Sequence, residues 1–246
     1  MIALAPLAAA VVSAAFAGLM AQQFFTRKRP HQLAWALALT MFALASLAAG
    51  RGIIAGWNPF LYRSYYLLGA VINVPMLALG TIYLLGPRRV AHAAAALVAV
   101  AVVYAAGAVF SAELLGPPSG QMDPLAVDSA IPSASLVIPG VVRRLSRLYS
   151  FTGFAIVVSG ALWSAWRLSR KPDEYLRRLA QGNILIAVGT SVVAAASGFA
   201  RHGNGFVFAI GLLAGVVIMF VGFLKIRLTN GNPVSLTNGN PVGDEQ

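Results

Sequence analysis

The chain contains no cysteine. That absence removes disulfide staples, thiolate nucleophiles, iron–sulfur clusters and cysteine-bound zinc together. Acidic side chains are also scarce: Asp and Glu number 7 against 18 Lys and Arg, and charged residues make up 10% of the sequence, where a soluble domain carries roughly 25%. No Asp, Glu, Lys or Arg stands at the centre of a long apolar run. This argues against an intramembrane carboxylate relay, a charge sensor and a charge-lined pore. Helix-borne HExxH, the GxSxG elbow, a phosphate-binding loop and paired catalytic acids are missing too.

What is present is hydrocarbon. Of 246 residues, 59% are hydrophobic, and the net charge of +11 comes from short basic groups between apolar runs. Scattered in this way, the basic residues form no continuous face for nucleic acid and read instead as topology signals. The sequence predicts an all-α, polytopic integral membrane protein, a seven-helix bundle with spans at about 2–25, 31–50, 63–86, 90–110, 148–168, 179–200 and 206–224. These form one membrane domain over 1–227. The Pro-broken connection 111–139 is its only sizeable loop, and 228–246 is a tail in which LTNGNPV occurs twice. The tail's Asn, Gly and Pro content predicts no packed structure.

The first apolar run precedes its basic residues, Arg27, Lys28 and Arg29, which is the reverse of a secretory signal and predicts a retained span with its amino terminus outside. In that orientation twelve basic residues fall on the inner side: those three, Arg88, Arg89, Arg167, Arg170, Lys171, Arg177, Arg178, Lys225 and Arg227. Six fall on the outer side. The inferred location is the cytoplasmic membrane of a prokaryote. The piece VVRRLSRLYS reads either as the first turns of the fifth span or as an interfacial helix leading into it.

The span from Tyr62 to Gly86 carries Asn73 near mid-depth, followed by Pro75. A proline there lacks the amide hydrogen, so a helix break is expected, with the Val71 carbonyl left open beside Asn73. Thr40, Ser159, Thr190 and Ser191 fall at similar depths on their own spans, with Tyr104 somewhat shallower, and together with Asn73 suggest an interior polar layer. Self-bonding to the preceding turn is the structural alternative for each hydroxyl, and interhelical bonding for the amide. At the outer ends of the spans lie Arg51, Arg63, Arg143, Arg144, Arg147 and Arg201, a set able to hold an anionic headgroup or small anion through fork-shaped hydrogen bonds. Glu113, Asp123 and Asp128 in the long loop are the competing partners.

His31, His92 and His202 raise a haem reading, with His31 and His92 as an axial pair if the second and fourth spans touch. No metal site or cofactor is expected. A retinal linkage would need a lysine deep in the last span, and Lys225 stands at its inner end. Small residues at Ala10, Ala14 and Gly18, and at Gly211 and Gly215, offer close helix contacts.

These features favour a non-enzymatic membrane protein that binds a lipid or small anionic ligand at its outer face, or an accessory subunit of a membrane complex. The expected partners are the bilayer, an anionic lipid or small molecule, and a membrane-protein partner. The alternatives are a transporter for a neutral or anionic solute, using the Asn73 and Pro75 break, and an intramembrane enzyme or haem-containing redox protein working from the interface.

Overall fold

A computed structural model describes residues 3–116, 131–170, 173–200 and 205–231. Every regular element in them is helical: α1 (Leu4–Arg27), α2 (Pro30–Ala55), α3 (Pro59–Tyr65), a π-helical stretch (Tyr66–Ile72), α4 (Asn73–Leu85), α5 (Arg88–Ser111), the single turn α6 (Ala134–Val137), α7 (Gly140–Ser169), α8 (Glu174–Ala200) and α9 (Gly205–Gly231). The stretch from Pro59 to Leu85 crosses as one unit, so seven helices are long and apolar enough to span a bilayer.

The sequence dictates the junctions. Lys28 takes the left-handed conformation, φ 51°, and donates its N–H to the Phe24 carbonyl, ending α1. Pro30 then opens α2, where its missing N–H costs nothing. At the next turn the Asn58 side chain accepts from the Leu61 N–H at 2.8 Å, with Pro59 in the first helical position.

Two boundaries lie beyond the expected span limits, and the first decides between the two readings of the VVRRLSRLYS piece in favour of the first turns of the fifth span. α7 begins at Gly140, so the basic VVRRLSRLYS piece is continuous with the fifth span. Of its arginines Arg144 and Arg147 are exposed, and helix periodicity carries Val142 and Ser146 into the core. α9 runs to Gly231, which makes the start of the first LTNGNPV copy helical, because an apolar helix propagates cheaply past the end of its buried face. Residues 232–246, with the remainder of the repeat, lie outside the described residues.

Six spans close into a ring. α1 packs on α2, α2 on α4, α4 on α7, α7 on α8, α8 on α9, and α9 returns to α1. The most extensive of these contacts joins α8 to α9. Along it the backbones meet at facing small residues: a Cβ on Gly189 would lie 2.6 Å from the Gly215 carbonyl oxygen, and one on Gly222 would lie 2.7 Å from that of Gly182. Gly211 and Gly215 thus take their partner from the same chain. Their contact is the close approach that only small residues permit in lipid.

α5 stands outside the ring. It leans on α4, the π-helical stretch and α7, and only 11% of its apolar window is buried within the protein. The ring has two distinct ends. At the loop end, the stems of the long connection dock over the third span: Val137 and Ile138 are buried with Tyr62, Tyr66, Val71 and Val109, Leu115 donates its N–H to the Val137 carbonyl, and the Tyr62 hydroxyl donates to the Pro132 carbonyl at 2.9 Å. At the opposite, basic end lie Arg27, Lys28, Arg29, Arg88, Arg89, Arg167, Arg170, Arg177 and Arg178.

Candidate functional site

The break at Pro75 has an unexpected register. An α-helix would leave the Val71 carbonyl without a donor, but the chain from Tyr66 to Ile72 is wound as a π-helix, in which each carbonyl looks five residues on. Counted that way, the residue with no N–H to offer, Pro75, stands opposite Ala70. Two serines one turn apart on α7 answer this: Ser146 and Ser150 both donate to the Ala70 carbonyl, at 2.8 and 3.0 Å. The free acceptor is therefore closed by protein. Beside it Asn73 is 3% exposed and its Nδ2 meets no partner, as is also true of the fully buried Ser13 hydroxyl on α1.

One turn further, Trp35 of α2 lies flat on α4 where Gly80 leaves room for the indole, and its Nε1–H donates to the Leu77 carbonyl at 3.1 Å. This ring forms part of the wall of a cavity of about 80 Å³ at the ring's centre. All six ring spans contribute to the lining: Phe16 and Met20 from α1, Trp35 and Leu39 from α2, Leu77, Thr81 and Leu85 from α4, Val157, Ala161 and Ser164 from α7, Asn183, Ile186 and Thr190 from α8, Met219 and Phe223 from α9. Leu85 precedes Arg88, Ser164 precedes Arg167, Asn183 follows Arg178 and Phe223 precedes Lys225, so the cavity belongs to the basic half of the bundle.

Its polar groups are few and mostly committed. Thr81 donates to the Leu77 carbonyl at 3.2 Å, and Thr190 donates to the Ile186 carbonyl at 2.8 Å with Met219 Sδ at 3.4 Å. Across the α7–α8 contact the Asn183 amide donates to the Ser164 hydroxyl oxygen at 2.9 Å. Asn183 is thus a second asparagine inside the spans, missed when depth is counted from the outer ends alone. Its signal was available, since an asparagine in an apolar run demands protein or water as a partner.

The proposed polar layer separates on inspection. Thr190 enters the cavity wall and Asn73 is buried above it, but Thr40 is exposed and bonded back to the Ala36 carbonyl, Ser159 is exposed and bonded back to Ile156, and Ser191 bonds back to Ala187. Tyr104, 61% exposed on α5, is remote from any interior layer. Depth alone brought these residues together; helix rotation decides which of them face inward.

The loop-end arginines likewise do not share a partner. Arg63 donates from Nη2 to the Ala112 carbonyl at 2.7 Å, clamping the start of the long connection. Arg147 Nε reaches back to the Arg143 carbonyl, while Arg51 and Arg144 are exposed. Arg201 lies outside the described residues, as do His202, Asp123 and Asp128. Arg178 forms an ion pair with Glu174, both exposed at the basic end. His31 sets its ring edge-on to Trp35, and His92 pairs with the Tyr83 hydroxyl at 3.2 Å. The two rings have different neighbours, and no group of three metal-binding side chains occurs among the described residues.

Fold and site together define an all-α, multi-pass membrane protein with an apolar chamber inside the bundle. The chain matches no protein-family model, and no curated protein or solved structure matches it.

Proposed function

We propose that this protein binds the hydrocarbon part of a membrane amphiphile inside its helix ring, without catalysing a reaction on it. The observation that carries this reading is the cavity to which all six ring spans contribute and whose lining is almost wholly apolar. A concave apolar chamber with a few placed polar groups is the usual form of a small-molecule site. Its lining runs from Asn183 to Thr190 along α8, a rise of about 10 Å at about 1.5 Å per residue. At about 80 Å³ it is roughly half the size of an apolar cavity that admits benzene, about 150 Å³. That size takes in a few carbons of a single chain and no fused ring system, so most of a longer chain lies outside the chamber.

Location supports the same reading and moves the ligand from the loop end to the basic end. The concentration of Arg and Lys there favours a cytoplasmic orientation for that end and suits an amphiphile whose head remains among headgroups. Two features weigh against the transport alternative. The Ala70 carbonyl freed near Pro75 is held by serines and does not line the cavity, and Asn73 is sealed away from it.

The test is identification of what accompanies the protein extracted with its native lipid. Native mass spectrometry of the wild type should find one lipid class enriched over the surrounding membrane. Ala161→Phe, which places a ring into the chamber, should lose that species at an unchanged melting temperature. Equal lipid composition in the bound and bulk fractions, or full retention by the Phe variant, would refute the reading.

A further inference from the structure

Within the cavity wall one pair of side chains still has hydrogen-bonding capacity to offer. Four serine hydroxyls elsewhere in the bundle bond back to their own helix, Ser159 to Ile156, Ser169 to Trp166, Ser191 to Ala187 and Ser197 to Val193, and Ser146 and Ser150 are spent on the Ala70 carbonyl. Ser164 makes no such bond; its oxygen accepts from Asn183 Nδ2. The serine proton is therefore left over, and so are the second amide hydrogen and the Oδ1 acceptor of Asn183. Thr81, Thr190 and Trp35, the other polar side chains of the wall, have donated to Leu77 or Ile186 carbonyls. Asn183 is half-buried and in the wall, in contrast to Asn73, whose unpartnered Nδ2 is enclosed.

From this pairing we propose that Ser164 and Asn183 form the specificity element of the chamber and select a linear-chain amphiphile bearing one uncharged oxygen function, a hydroxyl or a carbonyl. This rests on the chamber being a hydrocarbon-binding site. The pair supplies two donors and one acceptor at one point of an otherwise apolar wall, which matches a neutral oxygen. No cation or acid belongs to the wall to neutralise a carboxylate or an ammonium, and a charge stripped of water there has nothing to compensate it. Removing the pair's complement is unfavourable as well, because a ligand without oxygen leaves these groups unpaired in hydrocarbon.

Equilibrium binding to the protein in lipid nanodiscs decides it, with radiolabelled 1-dodecanol as probe and Ala161→Phe as the blocked-cavity control. The wild type should take up dodecanol above the control. Unlabelled dodecanol should compete about fivefold or more better than n-dodecane or laurate, a hydrogen-bond-sized preference of about 1 kcal/mol. The Ser164→Ala/Asn183→Leu variant should bind the alcohol and the alkane alike. Should the double variant fail to accumulate, Ser164→Ala alone is expected to narrow the preference at least twofold. A preference unchanged in these variants, or laurate competing best, overturns the specificity proposal while the chamber remains a hydrocarbon site. Dodecanol uptake no greater than that of the Phe control overturns the chamber reading itself.

Discussion

Replacing Ser146 and Ser150 by alanine, singly and together, tests how the third span tolerates its π-helical register. Both hydroxyls end on one carbonyl, that of Ala70, at 2.8 and 3.0 Å. Either alone satisfies that oxygen, so each single substitution removes one interhelical bond and should destabilise by about 0.6 kcal/mol, the average for such bonds in a membrane bundle. With both gone, the carbonyl faces hydrocarbon and a proline that cannot donate. An unsatisfied buried backbone group costs about 1–3 kcal/mol on mutational scales and more in lipid, so the double variant should lose about 2–3 kcal/mol. The excess over the two singles, about 1–2 kcal/mol, is the coupling between them. Reversible unfolding in mixed micelles by SDS titration measures all four corners of the cycle. A rescue arm separates this from lost packing: Pro75→Ala supplies the missing N–H and should recover most of the stability in the double-alanine background while doing little for the wild type. Additive singles, or a Pro75→Ala change that fails to rescue, would refute the reasoning.

Three further outcomes follow from the packing. Gly189→Ala should cost about 1–3 kcal/mol by the same assay, since the added Cβ would meet the Gly215 carbonyl and the Met219 amide, both backbone atoms that cannot swing away. Gly107→Ala, with nothing within 4 Å of the new methyl, should be neutral or stabilise α5 by about 0.5–1 kcal/mol through helix propensity; the reverse order would contradict the glycine-ladder account. Trp35→Phe should cost about 1–2 kcal/mol, combining the lost bond to the Leu77 carbonyl with lost contact against Gly80. A loss no greater than that of an exposed control such as Trp163→Phe would show that the indole N–H carries no weight.

The seven spans were legible because length and hydropathy are one-dimensional properties. So was the trouble at Pro75: its missing amide is a local fact of covalent structure, and only the register, π in place of α, shifted the orphaned acceptor from Val71 to Ala70. Rotation about each helix axis was not legible. Thr40 and Thr190 sit at comparable depth, yet one is exposed and the other lines the cavity, because in lipid both faces of a span are apolar and hydrophobic periodicity no longer marks the inside. The same loss of signal hid the peripheral position of α5, whose alanine and valine composition resembles that of the ring spans. Asn183 was missed for a different reason. Attention to depth from one membrane face left the opposite half of the bundle, where the cavity is, without a polar residue to mark it.

The contact between α1 and α9 sets the order in which the chamber can be completed. Phe16 of the first span stacks against Phe220 and Phe223 of the last, at 5.3 and 4.8 Å between ring centroids. Met219 and Phe223 are also the final pieces of the cavity wall to leave the ribosome. Without α9 the wall would lack its sixth side, between α8 and α1. Insertion of α9 then shuts the ring, and the last span acts as its stave.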